Sequence, residues 1–146
     1  MKNRATIGYT TGVFDMFHVG HLRILKTARE QCDFLIVGVS SDELVNSYKN
    51  KTPVIPLEDR MEIVRSVRYT DKVIVQEHRD KVKAHDEIGF NIMFVGDDWK
   101  GKAVFIEAEK QLNSRGVKVV YFPYTKHVSS THLTSVLQQI EENGRL

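Results

Sequence analysis

Cysteine is nearly absent from this 146-residue chain; Cys32 is alone, so no internal disulfide can form. A lone thiol fits a reducing compartment. Charge of one sign is also scarce. Lys and Arg number 21 against 19 Asp and Glu, for a formal net charge of +2. So small a surplus argues against nucleic acid or an anionic membrane as partner, unless the cations cluster locally. No hydrophobic run approaches membrane-spanning length, and the opening Met1-Lys2-Asn3-Arg4-Ala5-Thr6 has no apolar signal core. Repeats, low-complexity tracts and linkers are lacking. The expectation is one cytoplasmic domain spanning 1–146, with an ordinary hydrophobic fraction of 41%.

What is present is a strand and helix alternation. Ala5 to Thr11 is β-prone, and a helical pattern runs from about His21 to Gln31 with Leu22, Leu25 and Ala28 as its apolar stripe. Asp33 to Ser40 is a continuous apolar run, which reads as a strand buried on both faces. A short helix from Ser41 to about Ser47, with Asp42 as a capping candidate, leads into a polar loop from Tyr48 to Pro53. Pro56 opens the next helix, with Leu57, Met61, Val64 and Val67 inside and Arg60, Arg65 and Arg68 off the stripe. Strands at 71–76, 91–96 and 117–122 alternate with helices at 80–88, 103–115 and from Ser129 or Ser130, the last striped by Leu133, Val136, Leu137 and Ile140. Gly89 and Gly116 end two of these helices. The pattern predicts an α/β protein: a Rossmann-like, doubly wound parallel sheet of about five strands.

In such sheets ligands sit outside the carboxyl ends of the strands. Three unusual segments fall there: Gly12 to His21, Asp97-Asp98-Trp99, and Tyr124 to Thr131. The first places Gly12, Gly20, His18 and His21 in one strand-to-helix turn. Peptide N–H groups, a helix dipole and two imidazoles together suit a phosphate. Taken alone, the histidines could instead be helix caps or zinc ligands, and the glycines could merely shape the turn. The remaining histidines and the single Cys show no paired metal spacing.

Phe14-Asp15-x-x-His18-x-Gly20-His21 resembles the signature of the HxGH nucleotidyltransferases, and nearly the whole chain resembles the bacterial glycerol-3-phosphate cytidylyltransferases. The resemblance implies attack of a phosphorylated acceptor on the α-phosphorus of a nucleoside triphosphate, with release of pyrophosphate. It implies CTP and glycerol 3-phosphate as substrates, CDP-glycerol as product, Mg²⁺ on the triphosphate without a dedicated protein site, and a homodimer. By the same resemblance His18, His21 and Lys51 are catalytic. Val13, Phe14, Arg68, Tyr124, Thr125, Ser129, Ser130 and Thr131 join them at the nucleotide, and Lys49, Lys81, Asp98 and Trp99 face the acceptor.

Gly96-Asp97-Asp98-Trp99-x-Gly101-Lys102 is the motif that points to the glycerol phosphate branch. The segment Tyr124-Thr-Lys-His-Val-Ser-Ser-Thr131 departs from the family's R-T-E-G-I-S-T-T: Tyr124 replaces arginine, Lys126 glutamate and His127 glycine. Rival expectations are another acceptor, namely phosphocholine, phosphoethanolamine, a phosphonate or a sugar phosphate, an adenylyl donor, or a binding module without catalysis.

Overall fold

The computed structural model describes residues 5–96, 100–122 and 130–142, with side chains throughout except at 130–132 and 134. Five parallel strands, β1 (Ile7–Gly12), β2 (Phe34–Ser40), β3 (Lys72–Gln76), β4 (Ile92–Gly96) and β5 (Lys118–Phe122), form one sheet in the order β3-β2-β1-β4-β5. The helices are α1 (Val19–Glu30), α2 (Asp42–Lys49), α3 (Leu57–Arg65), α4 (Lys81–Ile88), α5 (Ala103–Ser114) and α6 (Ser130–Glu142). This is the expected Rossmann-like arrangement. The strand order reverses between β1 and β4, so a crevice opens outside their carboxyl ends.

β2 shows why its sequence run is unbroken by polar residues. Leu35, Val37 and Val39 are buried on one face with Leu25, Ala28 and Val64. Ile36 is buried on the other with Tyr9, Phe90 and Met93. Gly38 leaves room on that second face: a Cβ there would stand 2.5 Å from the Tyr9 hydroxyl. Gly89 and Gly116 both take positive φ at helix ends, as the sequence predicts.

Four expectations need correction. In α1, Leu22 is exposed at 38%, while His21 lies in line with buried Leu25 and Ala28 at the spacing i, i+4, i+7. The buried stripe therefore includes a histidine. Second, α3 ends at Arg65, three residues short of Arg68.

The third correction is Arg60, which is not off the stripe but fully buried. It stands at i+3 from Leu57 and i+4 from it lies Met61, so the helix period itself turns Arg60 inward. Its Nε donates to the Ile55 carbonyl at 2.8 Å, and its Nη1 donates to the carbonyls of Val13 and Ser40, each at 2.8 Å. Nη2 pairs with Asp42 Oδ1. Asp42 is thus an ion-pair partner; the cap of α2 is Ser41, whose Oγ accepts from the Leu44 N–H at 3.1 Å.

Removing a buried guanidinium leaves three carbonyls and a carboxylate without their donor. Arg60→Ala should lose on the order of 3–5 kcal/mol of unfolding free energy, and Arg60→Lys should recover little, because an ammonium cannot span the fork. Urea denaturation followed by circular dichroism checks this; a loss below about 1 kcal/mol, the scale of an exposed ion pair, would refute the clamp.

Candidate active site

The turn after β1 is shaped by two non-glycine residues in the left-handed region, Phe14 at φ 55° and Met16 at φ 47°. Such backbone is held only where the surroundings determine it. Here the Phe14 ring folds back over Gly12, where a Cβ would come within 2.9 Å of it. Asp15 is buried and ties the turn to the segment before α3. Its carboxylate accepts from the Val54 N–H at 2.7 Å and the Ile55 N–H at 2.8 Å.

His18 is the N-cap residue of α1, one residue before the helix rather than within its first turn. Its Nδ1 accepts from the Gly20 N–H at 3.0 Å, and His21 Nδ1 accepts from the His18 N–H at 3.2 Å. The cap reading and the site reading therefore describe the same two rings. With each Nδ1 engaged as acceptor, a neutral ring must carry its proton on Nε2. The rings stack with centroids 3.9 Å apart and planes 23° from parallel. Phe14 at 5.3 Å and Phe17 at 5.2 Å wall in His21.

Burial is the main reason that the His21 pKa falls to about 3, with repulsion from His18 adding to it. Burial also lowers the His18 pKa. The pair is neutral at pH 7, and two Nε2–H groups stand side by side as hydrogen-bond donors.

A second cluster gathers where α2 ends and α4 begins. Lys49 closes α2, Lys51 lies in the following loop, and Lys81 opens α4 just after Asp80, whose side chain caps the Lys83 N–H. Lys81 is 7% exposed; burial first, then Arg79, lower its pKa to about 8 against the opposing pull of Asp80. Burial, Lys51 and Arg79 likewise lower Lys49, and Asp15 opposes them. Arg79 stacks on the Tyr48 ring, its Cζ 4.0 Å from the centroid.

The structure brings His18, His21, Val13 and Phe14 into one turn, and Lys49, Lys51 and Lys81 into the neighbouring cluster. Phe14 itself is 4% exposed and packs into the core, so contact from it to a nucleotide would run through its backbone. Arg68 is not brought to this end. It is exposed and lies between α3 and β3, before the amino end of that strand. Asp98, Trp99, Tyr124, Thr125 and Ser129 lie outside the described residues, and Ser130 and Thr131 open α6. Sequence reasoning passed over Asp15, Arg60, Tyr48 and Arg79. For Arg60 the helix spacing was a usable signal; for Arg79, in a polar stretch after β3, there was none.

A cavity of about 360 Å³ lies between β3 and α4, lined among others by Tyr9, Ile36, Ile74 and Glu87. None of the candidate residues among those described lines it. Its apolar floor and its His78–Glu87 pair suit a triphosphate poorly.

The family model described as cytidylyltransferase-like matches residues 9–141. The chain belongs to the cytidylyltransferase-like family. Glycerol-3-phosphate cytidylyltransferase of Bacillus subtilis is 37% identical over 126 residues, 85% of this chain and 91% of that protein. FAD synthase of Pyrococcus abyssi is 31% identical over 132 residues, 90% of this chain and 89% of that protein. Ethanolamine-phosphate cytidylyltransferase of Dictyostelium discoideum is 32% identical over 97% of this chain, which spans 39% of that longer protein. Among solved structures, a lipopolysaccharide core biosynthesis protein from Thermoplasma volcanium superposes with a TM-score of 0.68 at 25% identity, over 84% of this chain and 98% of that one. A pantoate-beta-alanine ligase from Francisella tularensis, at 15% identity and TM-score 0.62, shares the fold, over 97% of this chain and 72% of that one.

The low His21 pKa sets an acid limit. The unfolded histidine takes up a proton near pH 6.5 and the folded one near 3. Between these values the unfolded chain binds more protons, so stability falls as pH falls. His21→Gln should lose less stability than the parent between pH 7 and pH 4.5, measured by urea midpoints. Equal losses in the two proteins would contradict the burial assigned to His21.

Proposed function

We propose that the chain transfers CMP from CTP to glycerol 3-phosphate, giving CDP-glycerol and pyrophosphate. The observation that carries this reading is the stacked, neutral histidine pair presenting two Nε2–H donors at the amino end of α1, outside the carboxyl end of β1. An acceptor phosphate oxygen attacks the α-phosphorus in line. A new P–O bond forms to the acceptor, the bond from the α-phosphorus to the bridging oxygen breaks, and that electron pair leaves with pyrophosphate. The acceptor is already ionised, so no general base is needed. Charge grows on the α-phosphate oxygens, and donors fixed beforehand stabilise it without reorganising. His18 and His21 take that role, together with Lys51. Their Nδ1 atoms are held by backbone N–H groups, so the rings keep their aim as charge develops.

Val13 and Phe14 would meet the nucleotide through their backbone, and Ser130 and Thr131 would meet its outer phosphates at the start of α6. Lys49 and Lys81 would hold the acceptor. The site's described side chains are hydrogen-bond donors and cations rather than carboxylate ligands. Mg²⁺ would therefore travel with the triphosphate, where it neutralises charge on the leaving group. Tyr124, Thr125, Ser129, Asp98 and Trp99 complete the proposal from the sequence motifs, and Arg68 belongs to it only if its end of the sheet meets a second copy of the chain. A glycerol phosphate acceptor is supported by the whole Gly96-Asp97-Asp98-Trp99-x-Gly101-Lys102 motif and by the Bacillus subtilis relative. The FAD synthase relatives supply the second reading, an adenylyl transfer to FMN.

Two measurements test this. His18→Ala and His21→Ala should each lower kcat by on the order of 10²–10³, with nucleotide affinity far less affected; near-normal turnover at saturating substrates would sink the role. A matrix of four nucleoside triphosphates against phosphorylated acceptors, FMN included, should give CTP with glycerol 3-phosphate the highest kcat/KM. A tenfold win for another pair, about 1.4 kcal/mol of transition-state preference, would move the assignment to that pair. No pyrophosphate from any pair would remove the enzymatic reading.

A further inference from the structure

Tyr48 offers an aromatic face beside the lysine cluster, and such a face is what a quaternary or primary ammonium seeks. In this structure the face is taken. Arg79 covers the ring at 4.0 Å, and Lys49 Nζ lies 5.9 Å from the same centroid. The two residues come from separate segments: Tyr48 from the last turn of α2, Arg79 from the stretch between β3 and α4. Their meeting point is bounded by Lys49 and by the buried Lys81. It connects to the histidine turn through Asp15, which fixes the Val54–Ile55 segment that follows Lys51.

We propose that Arg79, seated on Tyr48, closes that ring to cationic headgroups and so restricts the acceptor to phosphate monoesters without a positive charge. The inference rests on the acceptor entering beside Lys49 and Lys81, as in the function proposed above. Its physical basis is twofold. An ammonium group arriving at Tyr48 would find its aromatic partner occupied and would face two cations on that one ring. A neutral or anionic alcohol phosphate meets no such penalty, and the guanidinium fork matches a phosphate bidentately. Discrimination by repulsion is as effective as discrimination by attraction, because selectivity is a difference of two affinities. The chain's relatives include enzymes named for ethanolamine phosphate and for glycerol 3-phosphate, so a device that separates these headgroup classes has a task to perform.

Arg79 is a specificity residue in this account, and its removal should shift a preference rather than abolish a reaction. Equilibrium binding of glycerol 3-phosphate and of phosphocholine, each titrated calorimetrically into the full chain saturated with CDP, reads the preference without turnover. The parent should bind glycerol 3-phosphate and bind phosphocholine far more weakly. Arg79→Ala should weaken glycerol 3-phosphate and strengthen phosphocholine, moving the affinity ratio by on the order of tenfold. The pair Tyr48→Ala with Arg79→Ala should lose the phosphocholine gain, because the aromatic face is then absent. Arg79→Lys should keep phosphocholine excluded. An unchanged ratio in Arg79→Ala, a gain that survives loss of Tyr48, or a parent that binds both ligands equally would each overturn the proposal. Pyrophosphate release with CTP, measured alongside, separates the two readings. Turnover with an unmoved ratio refutes the gate alone, and a shifted ratio without turnover refutes the transferase alone.

Discussion

Arg60 is the constraint on which the site depends. A fully buried guanidinium has no water to turn to, so each of its N–H groups must find an acceptor in the protein. It finds them on Val13, at the start of the histidine turn, on Ser40, at the end of β2, on Ile55, before α3, and on Asp42, at the start of α2. Three segments, at Val13, at Ser40 to Asp42 and at Ile55, are thereby brought to one atom group. Asp15 adds a second tie between two of them. Neither residue presents itself to a ligand. Both decide where the histidines and the lysine loop stand, and positioning is most of what in-line phosphoryl chemistry asks of a protein.

The two halves of the candidate site solve opposite electrostatic problems. At the histidine turn, burial strips charge from the rings, so the groups proposed to meet the α-phosphate are neutral and already committed at Nδ1 to the backbone. A charged imidazole in that cradle would be expensive and would attract the ground-state triphosphate as strongly as the transition state. At the α2–α4 junction cations are gathered instead. Burial first, then Lys51 and Arg79, lowers the proton affinity of Lys49, and burial first, then Arg79, that of Lys81. In the proposed function an arriving phosphate would relieve that repulsion and be held in the ground state. The division matches a reaction whose substrates are gathered by cations and whose barrier is lowered by fixed dipoles.

How much of this was legible beforehand depends on the type of signal. Strands β2 and β4 were legible because runs such as Phe34 to Val39 have few other uses in a soluble domain, and helix ends at Gly89 and Gly116 were legible because positive φ favours glycine. The histidine turn was legible as a motif between strand and helix. Arg60 was misplaced because a charge in a helix was taken as solvated, although its spacing from Leu57 and Val64 turns it inward. His21 shows the same error in milder form: its place in line with Leu25 and Ala28 announced burial, and burial is what fixes its protonation state. Arg79 and Tyr48 could not be paired from sequence, since α3 and β3 both intervene and only the sheet order folds them together.

The placement of these groups also bears on how one fold serves several acceptors. The turn after β1 is enclosed by core residues: Phe14 packs among Leu25, Val39 and Phe94, and any change there disturbs the sheet. The α2–α4 junction is built from side chains at helix ends, with Tyr48 and Arg79 at the surface. Substitutions there change charge and shape without opening a cavity in the core. Under the proposed function, chemistry at the α-phosphate would therefore be tied to the stability of the fold, while acceptor choice would be mechanically separate from it. Such a separation would be compatible with relatives of similar identity to this chain being named for glycerol 3-phosphate, for ethanolamine phosphate and for FAD. If the acceptor is chosen at that junction, as proposed, then in this chain the choice falls to cations closed over an aromatic ring.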